Sequence, residues 1–528
     1  MTRDDPAPDV RGRLMLAFPG YELPAAMERR LREAQAAGIT LFRYVNVDTP
    51  AQVRALVESA QAAATAGGHD GPLLIAADQE GGQLIALGDG STAFPGSMAL
   101  GATGDPDLAE RVGRATGSEL LAMGVNVSYA PSCDLASNPA NPHLGIRAFG
   151  DDPAEVASFA AAMTRGLRSS GVAVAIKHFP GLGEADLDSH LGLPVIEHHR
   201  ARLDATELVP FAAAIDAGAD LVMSAHVGIP ALTGDPTLPA TLAREVMYDL
   251  VRRDLGFRGL TITDALDMEA LPQGSAQVVD VIAAIRAGVD LLLCAPDQDR
   301  LARIEGAVEL GARRRLFDDG ELRASAARLA TLRARLATAP SPGLEVVGSA
   351  DHLALAREVA ERSIALVRDR DGLLPLRLAP GDRLLAVMPT PRELTPADTS
   401  ASVAPGLAAA LRERWPEIDE VVTSHPPTDD EIAGVVARAA GAAAVVVGTI
   451  VASADPAQAR LVEALLATGR PVVTVALRTP WDLAAYPAAG THVAAWGILP
   501  PTLQALSACL FGAVPFRGRV PVRLPSPV

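Results

Sequence analysis

Between residues 12 and 300, short apolar runs alternate with segments of helical period. The runs at 14–18, 39–44, 73–77, 125–130, 172–176, 221–224, 260–263 and 291–294 predict strands. Helical patterns lie between them. Val278, Val279, Ile282 and Ile285 recur at spacings of three and four, and Leu242, Val246 and Leu250 form a second set. Continuously apolar strands separated by helices imply a parallel sheet covered on both faces. About eight such units fit a closed (β/α)8 barrel. A doubly wound open sheet is the competitor, but no G-x-G-x-x-G follows the first strand.

The alternation breaks at 337–350, ATAPSPGLEVVGSA, which reads as a linker. It restarts beyond, with strand-like runs at 384–388, 443–447 and 472–477 and a helical segment at 458–467. The expected fold class is therefore α/β: a TIM-type barrel over 1–336, the linker, and a second α/β domain over 351–528 with an open sheet between helices.

Polar residues recur where the first eight strands end. Asp78 follows the third, Asp134 the fourth with Arg147 further along, Lys177 and His178 the fifth, His226 the sixth and Asp264 the seventh. In a barrel these ends converge on one face, where active sites form. Asp188 and His190 sit on the long loop after the fifth strand, with only Ser189 between them. Read as extended backbone, that spacing puts both on one side, so that the carboxylate orients the imidazole for acid–base work. Asp264 at a strand end is held in a fixed position, although a helix N-cap for a segment starting at Leu266 is its structural alternative. A fixed carboxylate facing a separate acid/base is what a retaining glycosidase requires.

Composition narrows the partners. A net charge of −17 argues against nucleic acid or an anionic membrane. No apolar run of about 20 residues is present to span a bilayer. The start, MTRDDPAPDVRGRLML, lacks a secretory apolar core, so a cytoplasmic location is expected. Cys133, Cys294 and Cys509 have neither disulfide nor zinc spacing. No phosphate loop and no H-E-x-x-H occurs. No cofactor and no metal is expected, although His178, His190, His226 and Asp264 offer metal-capable atoms. Aromatic residues make up 4% of the chain, and Phe179, Tyr129 and Trp481 are the candidate stacking rings for a sugar.

Four segments carry a family resemblance: KHFPGLG with Asp-Ser-His eleven residues after the lysine, AADQEGG, NPANPHLGIRAFGDDP and TITDALDM. In order and spacing they resemble glycoside hydrolase family 3, most nearly its β-N-acetylglucosaminidase branch, which is marked by that triplet. ERSIALVRDRDGLLPL and GRVPVRLP resemble the family's second, α/β-sandwich domain. The resemblance implies a glycosyl-enzyme on Asp264, His190 as acid/base and Asp188 as the group that holds it. It implies sugar-hydroxyl binding by Asp78, Arg147, Lys177 and His178. His226 joins them as a substrate-binding candidate from its strand-end position. The chain departs from the family pattern at Leu182, Gln83, Ala86 and Ile146, where polar or charged residues are usual. These departures predict a weaker polar grip on the substrate. The implied activity is that of a retaining exo-β-N-acetylhexosaminidase, as a monomer or homodimer with a carbohydrate as its only partner. The alternatives are another β-glycosidase, a phosphorylase on the same site, or a sugar-binding barrel without catalysis.

Overall fold

The computed structural model describes residues 10–33 and 36–525. The first nine residues, on which the expectation of no secretory leader partly rests, lie outside the described residues. Strands β1 (Leu14–Leu16), β2 (Gly38–Leu41), β3 (Leu74–Ala77), β4 (Val127–Ser128), β5 (Ala173–Phe179), β6 (Leu221–Ser224), β7 (Leu260–Ile262) and β8 (Leu292–Leu293) form one parallel sheet. They pair in chain order, and β8 returns to β1. A parallel bridge between Ile262 and Leu291 brings the two ends together into a barrel.

The runs are continuously apolar because both faces are buried. Met15, Leu74, Ala76, Val127, Ala175 and Met223 turn into the barrel. Leu14, Leu16, Ile75, Val174, Ile176 and Val222 pack under the surrounding helices. The outer helices start where the sequence supplies a cap. Thr49, Asp105 and Asp152 each accept backbone N–H groups and are followed by Pro50, Pro106 and Pro153 at the first turn. The helix Asp319–Leu336 closes the N-terminal end of the barrel. Its Leu329, Leu332 and Leu336 join the inner cluster, and Arg333 and Arg335 donate to carbonyls just ahead of β2 and β5.

Three local expectations change. The 39–44 run stops being strand at Leu41, and Arg43–Asn46 forms a short helix at the barrel mouth. Leu242 lies in a 3-10 turn, while Val246 and Leu250 are buried on a π-helix, Glu245–Asp254. Val279 is 67% exposed, so Val281 rather than Val279 supplies the inner face of Gln277–Ala287.

After the helix Asp319–Leu336 the chain holds one 3-10 turn, Leu344–Val346, before the helix Ala350–Ser363. A second sheet follows. Its strands are β9 (Ala365–Asp369), β10 (Leu384–Pro389), β11 (Ile418–Thr423), β12 (Ala444–Thr449), β13 (Val472–Ala476) and β14 (Thr491–Ala494), in the order β9-β14-β13-β12-β10-β11. Only β9 runs antiparallel. Apolar clusters cover both faces of this sheet.

The segment after β10 crosses to the barrel. Asp398 accepts the backbone N–H of Leu394 and of Ser400 and forms a buried ion pair with Arg478 at 2.7 Å. Thr399, next to it, donates from N to Gln83 O at 2.8 Å and accepts from Ile85 N at 3.1 Å. The barrel hairpin Gln79–Gly81/Leu84–Ile85 is therefore tied to the second unit.

Candidate active site

The C-terminal ends of the strands surround a cavity of ≈ 480 Å³. Asp78, Arg147, Lys177, His178, His190 and Asp264 line it, together with His143, Ala86 and Asp267. The second unit adds Pro396, Ala397, Asp398 and Thr399 to the wall. Asp188 lies buried behind His190.

Glu80 and Arg147 form the ionic core of the site. Arg147 Nε and Nη2 donate to the two Glu80 oxygens at 2.9 and 2.8 Å, with both side chains almost fully buried. Lys177 Nζ bonds Glu80 Oε1 at 2.6 Å and also Asp78. Burial works to raise the Glu80 carboxyl, but Arg147 and Lys177 overcome it and hold it far below the usual carboxylate range. Burial likewise works to lower Lys177 and Arg147, and the two carboxylates reverse it. The site thus carries fixed, paired charges able to grip hydroxyl groups.

Arg147 also orders two histidines. Its Nη1 lies 3.0 Å from His143 Nε2 and its Nη2 lies 3.2 Å from His178 Nε2. A guanidinium only donates, so both Nε2 atoms accept and both rings carry their proton on Nδ1. His178 Nδ1 then donates to Asp134 Oδ2 at 2.7 Å, and His143 Nδ1 to Asp188 Oδ1 at 3.1 Å. Burial pushes the His143 imidazole down to about 4. Asp134 also receives Leu182 N at 2.7 Å and Ser132 Oγ at 3.0 Å, which fixes the loop after β5 against the loop after β4. That approach needs glycine at 183, where a Cβ would stand 2.1 Å from Leu135 O.

Asp188 and His190 meet through a turn, which corrects the extended geometry expected for them. The Asp188 carboxylate accepts its neighbour's backbone, His190 N to Oδ1 at 2.9 Å, and Leu191 N closes on Asp188 O at 2.8 Å. The same Oδ1 receives His190 Nδ1 at 2.7 Å. Burial works to raise Asp188, yet the bonds from His143 and His190 keep it well below the carboxylate range. With Nδ1 committed to Asp188, Nε2 of His190 is the ring nitrogen available to a ligand. His143, Asp188 and His190 also offer three metal-capable atoms within 4.8 Å. Both Nδ1 positions are already engaged in bonds to Asp188, however, and Arg147 covers His143 Nε2. The arrangement suits proton movement.

Asp264 follows β7 by two residues, and its Oδ1 accepts Ala265 N at 2.8 Å. No helix begins at Leu266, so the capping alternative falls away; the next one is Gln277–Ala287, preceded by a 3-10 turn. Burial works to raise the carboxyl, but His178, His226, His190 and the Ala265 N–H together hold it below its usual value. His226 itself does not line the cavity. It is fully buried, with Nδ1 bonded to Thr241 Oγ1 at 2.8 Å and Nε2 to Ala265 O at 3.0 Å, so it supports the Asp264 loop from behind.

The substitutions at Leu182, Gln83 and Ile146 do not thin out the cavity wall. All three side chains are buried in the packing around it, and only Ala86 faces the cavity. Phe179, Tyr129 and Trp481 are buried too. The exposed ring at the mouth is Tyr44, whose hydroxyl donates to Thr399 O at 3.2 Å. His143 and Tyr44 are the site residues that sequence reasoning missed; for Glu80 it gave only a place in the polar segment after the third strand. The tandem glycines after Glu80, with φ of +82° and +61°, turn the chain there.

The description "Glycosyl hydrolase family 3 N terminal domain" matches residues 14–332. A protein of Cellulomonas fimi named Beta-N-acetylglucosaminidase/beta-glucosidase is 30% identical over 506 residues, covering 90% of this chain and 86% of that one. Beta-hexosaminidase A of Pseudoalteromonas piscicida is 34% identical over 384 residues; the match takes in 67% of this chain and only 63% of that longer protein. Among solved structures, a glycoside hydrolase family 3 β-N-acetylglucosaminidase from Paenibacillus sp. str. FPU-7 superposes with a TM-score of 0.93 at 33% identity, covering 99% of this chain and 100% of that one. A barrel with this strand-end chemistry, matched over its whole extent by the family's N-terminal domain, leaves one assignment: the chain belongs to glycosyl hydrolase family 3.

Proposed function

We propose that this chain is a retaining exo-β-N-acetylhexosaminidase acting on terminal β-linked N-acetylglucosamine. The observation that carries this reading is one cavity holding an anchored carboxylate, Asp264, and an imidazole backed by a carboxylate, His190 on Asp188. Oδ1 of Asp264 is held by Ala265 N, which leaves Oδ2 to attack the anomeric carbon. The glycosidic C–O bond breaks as the proton on His190 Nε2 passes to the leaving oxygen. The glycosyl group is then an ester on Asp264. In the second half, His190 Nε2 takes a proton from water, the water oxygen bonds the anomeric carbon, and the Asp264 carboxylate leaves. Asp188 stays ionised and keeps the imidazole oriented. Asp78, Lys177 and Arg147 supply charged partners for sugar hydroxyls.

The choice of sugar rests on relatives named β-hexosaminidase or β-N-acetylglucosaminidase. Simple N-acetyl-β-glucosaminides are the expected substrates. The test is a panel of aryl β-glycosides with product analysis, with and without inorganic phosphate. Release of free N-acetylglucosamine with retained configuration supports the reading. Inert N-acetyl substrates beside well-cleaved β-glucosides would overturn the sugar assignment, and a sugar phosphate as the main product would overturn hydrolysis.

A further inference from the structure

His143 plays no part in the reaction just described, yet it is bonded into the machinery at both ring nitrogens. Three donors converge on Asp188 Oδ1: His190 Nδ1 at 2.7 Å, His190 N at 2.9 Å and His143 Nδ1 at 3.1 Å. The His143 and His190 rings lie 5.2 Å apart, both turned to that one oxygen. We propose that His143 is a positioning residue that weakens the hold of Asp188 on the His190 proton and ties that hold to the sugar-binding ion network.

The argument is one of shared charge. A carboxylate with one imidazole donor concentrates its field on that imidazole and favours its protonated form. A second N–H on the same oxygen draws part of that charge away, so the first imidazole gives up its proton more readily. For this to work, His143 must remain a neutral donor. Arg147 secures that by donating to Nε2, where a second proton would otherwise go, and burial adds to it. The bonds form an unbroken line, Glu80–Arg147–His143–Asp188–His190. A hydroxyl that pulls on Arg147 therefore acts on the bond between His143 and Asp188. Other ionisable groups around His190 are Asp264, Asp267, Glu269, His178 and His226. Among the described residues none of these bonds Asp188, whereas His143 does.

The proposal rests on His190 being the acid/base, and the experiment separates the two. The dependence of kcat/KM on pH is measured with an aryl N-acetyl-β-glucosaminide bearing a poor leaving group, for the parent, His143→Leu, His143→Asn and His190→Ala. His143→Leu keeps the volume and removes the donor, so the alkaline limb should move up by about one pH unit, the effect of one hydrogen bond to a charged group. His143→Asn offers an amide N–H near the Nδ1 position and should return the limb to where the parent has it. An unmoved limb in His143→Leu, or equal displacement in both variants, overturns the proposal; a KM change alone with the limb in place marks a merely structural role. A limb that persists in His190→Ala overturns the acid/base reading itself. If both His143 variants fail to fold, as judged by near-UV circular dichroism, the positioning role is overturned in favour of a structural one.

Discussion

Arg147 grips Glu80 with two parallel hydrogen bonds while its remaining donors face His143 and His178, so one guanidinium joins the anionic floor of the cavity to both flanking imidazoles. Removing one charge from such a buried pair leaves the other uncompensated, at a cost of about 3–5 kcal/mol. Glu80→Gln is expected to lower stability by that order in urea unfolding at pH 7. The folded-state value of Glu80 lies below its unfolded one. Its contribution is therefore full above the ordinary carboxylate range and fades as the pH falls below it, so the gap between parent and variant should narrow in acid. A loss under about 1 kcal/mol would show the network relaxing without its centre.

Asp264→Ala should abolish turnover while the melting temperature stays near the parent's, because the side chain makes one local bond, to Ala265 N, and packs against no apolar cluster. Azide fits the space left and should restore slow formation of an α-glycosyl azide. Substantial turnover by a folded Asp264→Ala protein would remove the nucleophile assignment.

His190→Ala should depend on the leaving group. An aryl glycoside with a good leaving group still forms the glycosyl-enzyme, whereas one with a poor leaving group needs a proton and should slow by about 10²-fold or more. Burst kinetics with the good leaving group would show the intermediate accumulating, since the base for the second half is gone. Equal losses on both substrates would contradict the role.

Asp280 lies outside the lining of the cavity. It is buried in the first turn of Gln277–Ala287, its Oδ2 lacks a hydrogen-bond partner, and burial pushes its carboxyl up to about 6. Because the folded value exceeds the unfolded one, the ionised form is destabilising above that pH and the penalty vanishes as the pH falls towards 4. Asp280→Asn should therefore stabilise the protein by on the order of 1–3 kcal/mol at pH 7 and by progressively less towards pH 4. Thermal unfolding across that range reads it, and a pH-independent difference would disprove the account.

The Asp398–Arg478 pair holds the segment that closes one side of the cavity. Arg478→Ala leaves Asp398 buried and unpaired, so a loss of about 3–5 kcal/mol is expected. Substrate grip should weaken with it, raising KM more than it lowers kcat, because Thr399 lines the cavity while the reacting groups come from the barrel. A lowered kcat at constant KM would place this segment closer to the chemistry.

The barrel strands were legible because both of their faces are buried, which makes each a continuous apolar run between helical periods. In the second unit the same rule found β10, β12 and β13 but passed over β9, β14 and β11. The last of these lies at the sheet edge with Asp419 and Glu420 partly exposed, and it carries no apolar run. At the site, Asp188 and His190 were visible as a pair, although a turn rather than an extended strand unites them. His143 was not visible. Its role comes from two bonds, one to a residue 45 positions away, and nothing in its own neighbourhood announces them. Leu182, Gln83 and Ile146 misled for the converse reason: proximity in a motif does not say which side of the wall a side chain faces.

The Pro396–Thr399 stretch, resting against the hairpin at Gln83 and Ile85, makes the pocket's outline adjustable independently of its reaction centre. Loops vary in length and composition more freely than the elements they connect. A few residues added or lost there would deepen, shorten or reroute the entrance while Asp264, His190 and the Arg147 network kept their places. Grafting this stretch between relatives is accordingly a direct way to retune the choice of aglycone, leaving the bond-breaking apparatus unaltered.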